Sequence, residues 1–87
     1  MDDIDKKVKE VLEGFGKVKR EGSGVWKVKN EMKPSFSVKI SDGNPRKIIK
    51  VSPVFGQGVR KEEWSLIAKA QANAIQKKVQ KVVPKVL

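Results

Sequence analysis

The chain predicts an α+β fold: a four-stranded antiparallel sheet with an N-terminal helix and a long C-terminal helix on one face, in the order α-β-β-β-β-α. Three observations carry this. Apolar residues recur at helical spacing near both ends of the chain. Apolar and polar residues alternate through its middle. Glycine- and proline-bearing turns separate the alternating runs. At 87 residues the chain has room for one domain, residues 1–87.

The first helix is expected over about residues 2–13. Ile4, Val8, Val11, Leu12 and Phe15 make one apolar stripe. Asp2 or Asp3 caps its start, where a negative charge meets the positive end of the helix dipole, and Gly14 and Gly16 stop it. Strands are expected at Lys17–Arg20 and Val25–Lys29, joined by the turn Glu21-Gly22-Ser23-Gly24. Pro34 keeps the connection from Asn30 to Pro34 irregular. Ser35–Ile40 alternates cleanly, Asp42-Gly43-Asn44-Pro45 is a turn, and Arg46–Ser52 is the fourth strand. Pro53 ends that strand or places it at an edge. The last helix spans about Lys61–Val83, with the stripe Trp64, Ile67, Ala68, Ala72, Ile75, Val79 and Val82, and Pro84 stops it.

Alternation sorts the strand residues by face. Trp26, Val28, Phe36, Val38, Ile40, Ile49 and Val51 go toward the helices. Lys27, Lys29, Ser35, Ser37, Lys39, Arg46, Ile48 and Lys50 go outward. The first strand stays open: either Lys17 and Lys19 point out with Val18 in, or the reverse. The outward set holds many cations and no acid, and like charges opposite one another destabilise a sheet. An anionic partner would relieve that cost.

Composition points the same way. Twenty Lys+Arg stand against ten Asp+Glu, a formal net charge of +10. Residues 1–16 carry three Lys and five acids, whereas residues 17–50 carry ten basic and three acidic residues. Such an excess on a small body draws polyanions, of which nucleic acid is the commonest. With no Cys and no His, disulfides, thiol chemistry and imidazole catalysis are excluded. No acid, base and nucleophile come together, so no enzyme, cofactor or metal site is expected. The acidic N-terminus has no apolar run, and no stretch approaches the roughly 20 apolar residues that span a bilayer; a cytoplasmic protein with no membrane partner is expected.

Single strands are held by basic grooves with aromatics on which bases stack. Phe15 and Phe36 fit core positions. Trp26 lies between basic residues and faces outward if the register slips by one. Phe55 sits in a glycine loop beside Arg60 and Lys61, and Trp64 in the first turn of the last helix. Phe55-Gly56-Gln57-Gly58 lacks the spacing of a phosphate-cradling loop. The polar stripe of Lys69, Gln71, Asn73, Gln76, Lys77, Gln80 and Lys81 reads as a solvated helix face. Val79, Val82, Val83, Val86 and Leu87 exceed what the sheet needs and suggest a homodimer through the C-terminal helix.

This basic α-β-β-β-β-α chain, with aromatics among lysines in Val25-Trp26-Lys27-Val28-Lys29 and at Phe55 and Trp64, resembles the small single-stranded-DNA-binding proteins of hyperthermophilic archaea of the ThermoDBP type. The resemblance covers most of the chain and rests on element order and composition. It implies an archaeal, thermophilic source, dimerisation, and Trp26, Phe55 and Trp64 beside a cleft. The expected function is binding of single-stranded DNA or RNA with low sequence specificity. Lys27, Lys29, Lys39, Arg46 and Lys50 would meet phosphates, Trp26 and Phe55 would stack bases, and Arg60, Lys61 and Trp64 would flank the site. The alternative is a dimeric architectural module that binds duplex DNA or an acidic protein.

Overall fold

A computed structural model describes residues 3–43 and 47–83. Asp2, Asn44, Pro45, Arg46, Pro84, Val86 and Leu87, each used in the expectations above, lie outside the described residues.

The order is α1 (Asp3–Glu13), β1 (Lys17–Gly22), β2 (Val25–Lys29), β3 (Ser35–Ser41), β4 (Ile48–Val54) and α2 (Lys61–Val82). The strands form one antiparallel meander, β1-β2-β3-β4, so β1 and β4 are its edges. The two helices pack on each other; α1 also lies against β1 and α2 against β4.

Alternation decides which residues meet the helices. Trp26, Val28, Phe36, Val38 and Ile49 are buried against Val8 and Leu12 of α1 and Ala72, Ile75 and Val79 of α2; Ile40, Val51 and Val18 pack at the margin. The open question at β1 is settled by register. Val18 pairs with Val28 and points in, while Lys17 and Lys19, opposite Lys29 and Lys27, point out. Pro53 does not end β4. It pairs with Phe36 on an edge strand, where the missing N–H costs no ladder bond.

Two side chains tie the layers together. Gln76 of α2, expected on a solvated face, is half-buried and donates to the Ile49 carbonyl at 3.2 Å. Arg20 points inward from β1, reaches Asp5 of α1 at 3.2 Å, and lies 5.8 Å from the centroid of the Trp26 ring. The β1–β2 hairpin turns through Ser23 and Gly24, with Gly24 at φ 69°. A Cβ at Gly24 would collide with the Ile40 carbonyl; glycine alone allows the hairpin end to lie this close to β3, where Gly24 O accepts the Ile40 N–H at 2.7 Å.

The end of α2 differs from expectation. Val79 and Val83 are buried and Val82 packs on the core, so they leave no apolar surplus there. The exposed apolar residues of α2 are at its other end, Leu66 at 83% and Ile67 at 48% exposed. Among the described residues no helix is long and apolar enough to cross a membrane.

Candidate nucleic-acid interface

The outer face of the sheet carries the charge. Register places Lys17 opposite Lys29, Lys19 opposite Lys27, and Lys39 opposite Lys50. These are three like-charge pairs in direct cross-strand position, where Cβ atoms lie about 5 Å apart. Lys17, Lys19, Lys27 and Lys29 form a block about 5 Å across the strands and 7 Å along them. Ser37 lies between Lys27 and Ser52, which extends that row over all four strands with hydroxyls. All six lysines are exposed.

The face is not free of acid, as the sequence suggested. The β1–β2 register shifts between Arg20 and Gly22, and the extra residue, Glu21, reaches Lys27 at 3.3 Å. Both partners are partly exposed, so the pair is weak and leaves the excess of cations in place.

No aromatic occupies an outward sheet position. Trp26 is 1% exposed on the helix side, so it cannot serve as a stacking platform. The strand keeps strict alternation, with no slip or bulge in β2 to turn the ring out, and burying that ring contributes on the order of 4 kcal/mol. Its indole N–H is buried without a hydrogen-bond partner, which offsets part of that gain. Phe55 and Trp64 are half-buried beyond the end of β4, and Phe15 is half-buried with the Lys78 ammonium 5.3 Å from its centroid.

At one end of the lysine block lies a cleft of about 880 Å³, within the range of ligand sites. Lys17, Lys27, Lys29, Lys33 and Glu31 supply its charged groups, and Met32, Val54 and Val59 much of its apolar wall. Phe55, Arg60, Lys61 and Trp64 do not line it. Arg60 instead pairs with Glu63 at 3.2 Å on the surface of α2. The structure thus joins Lys27 and Lys29 with Lys39 and Lys50 on one face and leaves Trp26, Phe55, Arg60, Lys61 and Trp64 apart from it.

The cleft's rim is the Asn30–Pro34 connection. The Asn30 N–H donates to Ser35 Oγ at 3.0 Å, the Ser35 hydroxyl donates to the Asn30 carbonyl at 3.4 Å, and Asn30 Nδ2 donates to the Pro34 carbonyl at 3.1 Å. Pro34 is fully buried beneath. On this clamp Met32 stands 69% exposed at φ 60°, a left-handed conformation that is uncommon for a side chain of its size. Its sulfur lies 3.4 Å from where a Cβ on Gly58 would sit, so the two loops meet. Lys17, Lys19, Lys33 and Met32 are site residues the sequence reading did not choose. Lys17 and Lys19 were within reach of it, since a Ser23–Gly24 turn sets them against Lys29 and Lys27. Met32 was not, because its exposure depends on how two loops meet.

Among the described residues no three His, Cys, Asp or Glu side chains gather as a metal ion needs. Asp42 has its carboxyl held below the usual range, first by the hydrogen bond from Lys47 at 2.7 Å and then by that ammonium's charge. Asp42 is exposed and Lys47 half-buried, and this surface pair is not among the lysines of the outer face.

A scan against family models, a search of curated proteins and a search of solved structures each found no match to this chain.

Proposed function

We propose that this protein binds nucleic acid through the lysine face of its sheet, without catalysis, by neutralising backbone phosphates with little regard to base sequence. The observation that carries the reading is the cross-strand register of Lys17 with Lys29, Lys19 with Lys27 and Lys39 with Lys50. Each pair opposes folding, and two ammonium groups about 7 Å apart repel by roughly 0.6 kcal/mol even in water. A chain of phosphates laid over the face converts that repulsion into attraction and releases its own counterions.

A single strand is the preferred ligand. Both helices lie behind the sheet, so neither projects from the lysine face to enter a duplex groove. The cleft at the end of the block is open to an unpaired nucleotide. The likeness in element order and composition to the ThermoDBP-type proteins suggests the same ligand. With no aromatic on the face, affinity comes chiefly from charge.

Charge-driven binding is tested by its dependence on salt. If the six lysines each meet a phosphate, log affinity for oligo-dT against log salt has a slope of about −4, a loss of roughly 300-fold between 50 and 200 mM. Fluorescence anisotropy of a labelled strand measures it, and a slope near zero sinks the reading. The second reading is a duplex-binding or acidic-protein-binding dimer. Leu66 and Ile67, exposed on α2, favour it as a self-association surface. Duplex bound as tightly as oligo-dT in the same titration would favour this alternative.

A further inference from the structure

The side of α2 turned away from the core is not uniformly polar. The helix buries Ala68, Ala72, Ile75 and Val79. At about 3.6 residues per turn, Leu66 and Ala70 fall on the opposite side. No described large apolar residue is more exposed than Leu66, and Ala70 beside it is exposed too. Along this outer side Glu63, Ile67, Ala70, Ala74, Lys77 and Lys81 follow one another in alternating steps of four and three. That is the spacing of a seam between two packed helices. The seam is apolar in the middle, acidic toward the start of α2 and basic toward its end.

We propose that a second copy of this chain covers the seam, the two α2 helices packing antiparallel about a two-fold axis at Ala70. This gives the exposed Leu66 and Ile67 an occupant and a register, and it holds whichever polyanion the lysine face binds. Charge order selects the partner. Glu63 and Lys77 stand seven residues to either side of Ala70, so in an antiparallel pair each Glu63 lies level with the partner's Lys77. A two-fold interface repeats every contact, which makes two such pairs. Parallel helices would instead set Glu63 against Glu63 and Lys77 against Lys77, and like charges across an interface reject that arrangement. Size is complementary as well. Leu66 lies level with Ala74, a large side chain against a small one, and Ala70 at the axis lets the helices approach to about 8 Å. Glu63 already touches Arg60 at 3.2 Å, but both groups are largely exposed, so that pair is weak and does not withhold the carboxylate. The net charge of +10 on each copy opposes association. It does so least in this geometry, because the six lysines lie on the far side of each sheet from the helices. The two sheets become the outer layers, and their lysine faces point apart and stay open.

Sedimentation equilibrium of the full chain, without nucleic acid and from about 1 to 500 μM, tests the pairing, since a single helix seam makes a small and therefore weak interface. The mass should rise with concentration from one chain to two and stop there. Leu66→Glu, at an exposed position, should keep the fold by circular dichroism and weaken the dimer at least about tenfold. Glu63→Lys and Lys77→Glu each place two like-charge pairs across the axis and should weaken it by a similar factor. The double variant Glu63→Lys/Lys77→Glu has an unchanged net charge and opposite charges at both places again, so it should recover the association, as should an equal mixture of the two single variants. A single chain's mass at every concentration overturns the proposal. So does a dimer indifferent to Leu66→Glu, growth beyond two copies, or a double variant as weak as the singles, which would deny the antiparallel register. None of these readouts involves a nucleic acid, so failure here leaves the lysine-face reading to its own salt titration.

Discussion

On the inner side of the sheet one cation, Arg20, is answered twice, by the carboxylate of Asp5 and by the ring of Trp26. On the outer side six lysines share one described carboxylate, Glu21. The same four strands carry both faces, so backbone and register cannot account for the difference. Residue choice does. A chain able to place Asp5 under Arg20 could have placed acids among the lysines; balanced pairs would have stabilised the hairpins by a few tenths of a kcal/mol each. Leaving the rows unbalanced sacrifices that stability in a domain whose core is already thin. The inner face is organised for folding, and on the proposed reading the outer one is organised for a ligand, so substitutions on the two should have separable consequences.

The largest expected effect is on the inner side. Trp26→Ala empties the centre of the core and should cost about 3–5 kcal/mol, a large part of what holds a small domain together. Urea denaturation should show the transition lost or moved to very low denaturant. Unchanged stability with lost affinity would return Trp26 to the ligand and break the division between faces. Arg20→Met is the subtler probe. The ion pair is partly exposed and worth little by itself, so with the ring contact the loss should be about 1 kcal/mol. Affinity for oligo-dT should stay within about twofold, since this cation points away from the face proposed to meet phosphates.

That division was visible in the sequence for most of the sheet. Phe36, Val38 and Ile40 against Ser35, Ser37 and Lys39 leave one reading of β3, and the partition of β4 into Ile49, Val51 and Ile48, Lys50 follows from the same period. The six elements and their order were legible because glycine and proline punctuate every boundary. The facing of β1 was not, because Lys17–Arg20 contains one apolar residue and no clear period; only its pairing with β2 decides it. Glu21 was hidden for a related reason. A bulge adds a residue that simple alternation does not count, and that residue brings the one acid onto the face. Trp26 had two signals in conflict, lysine neighbours and an inward position in the period, and the period won because a ring of that area gains more from burial than neighbours at i±1 can influence. The cleft depends on loops meeting across the end of the sheet, where sequence spacing carries little information.

The sharpest comparison needs the smallest change in stability. Lys50 is exposed and stands directly opposite Lys39, with no described acid paired to either. Lys50→Glu turns a repulsive cross-strand pair into an attractive one and should raise stability by about 0.5 kcal/mol. For a domain of this length that is a rise in Tm of about 3 °C. The same substitution removes a proposed phosphate contact and adds a repulsive charge, so affinity should fall at least about eightfold at 50 mM salt and the salt slope should shrink by about 0.7. Stability and affinity should therefore move in opposite directions from one side chain. Reversal at Lys81, on α2 behind the sheet, should cost far less affinity, which separates a located face from the pull of net charge. If Lys50→Glu lowers stability as well, the lysine rows are held by some balance within the fold, and an anionic polymer is no longer needed to explain them.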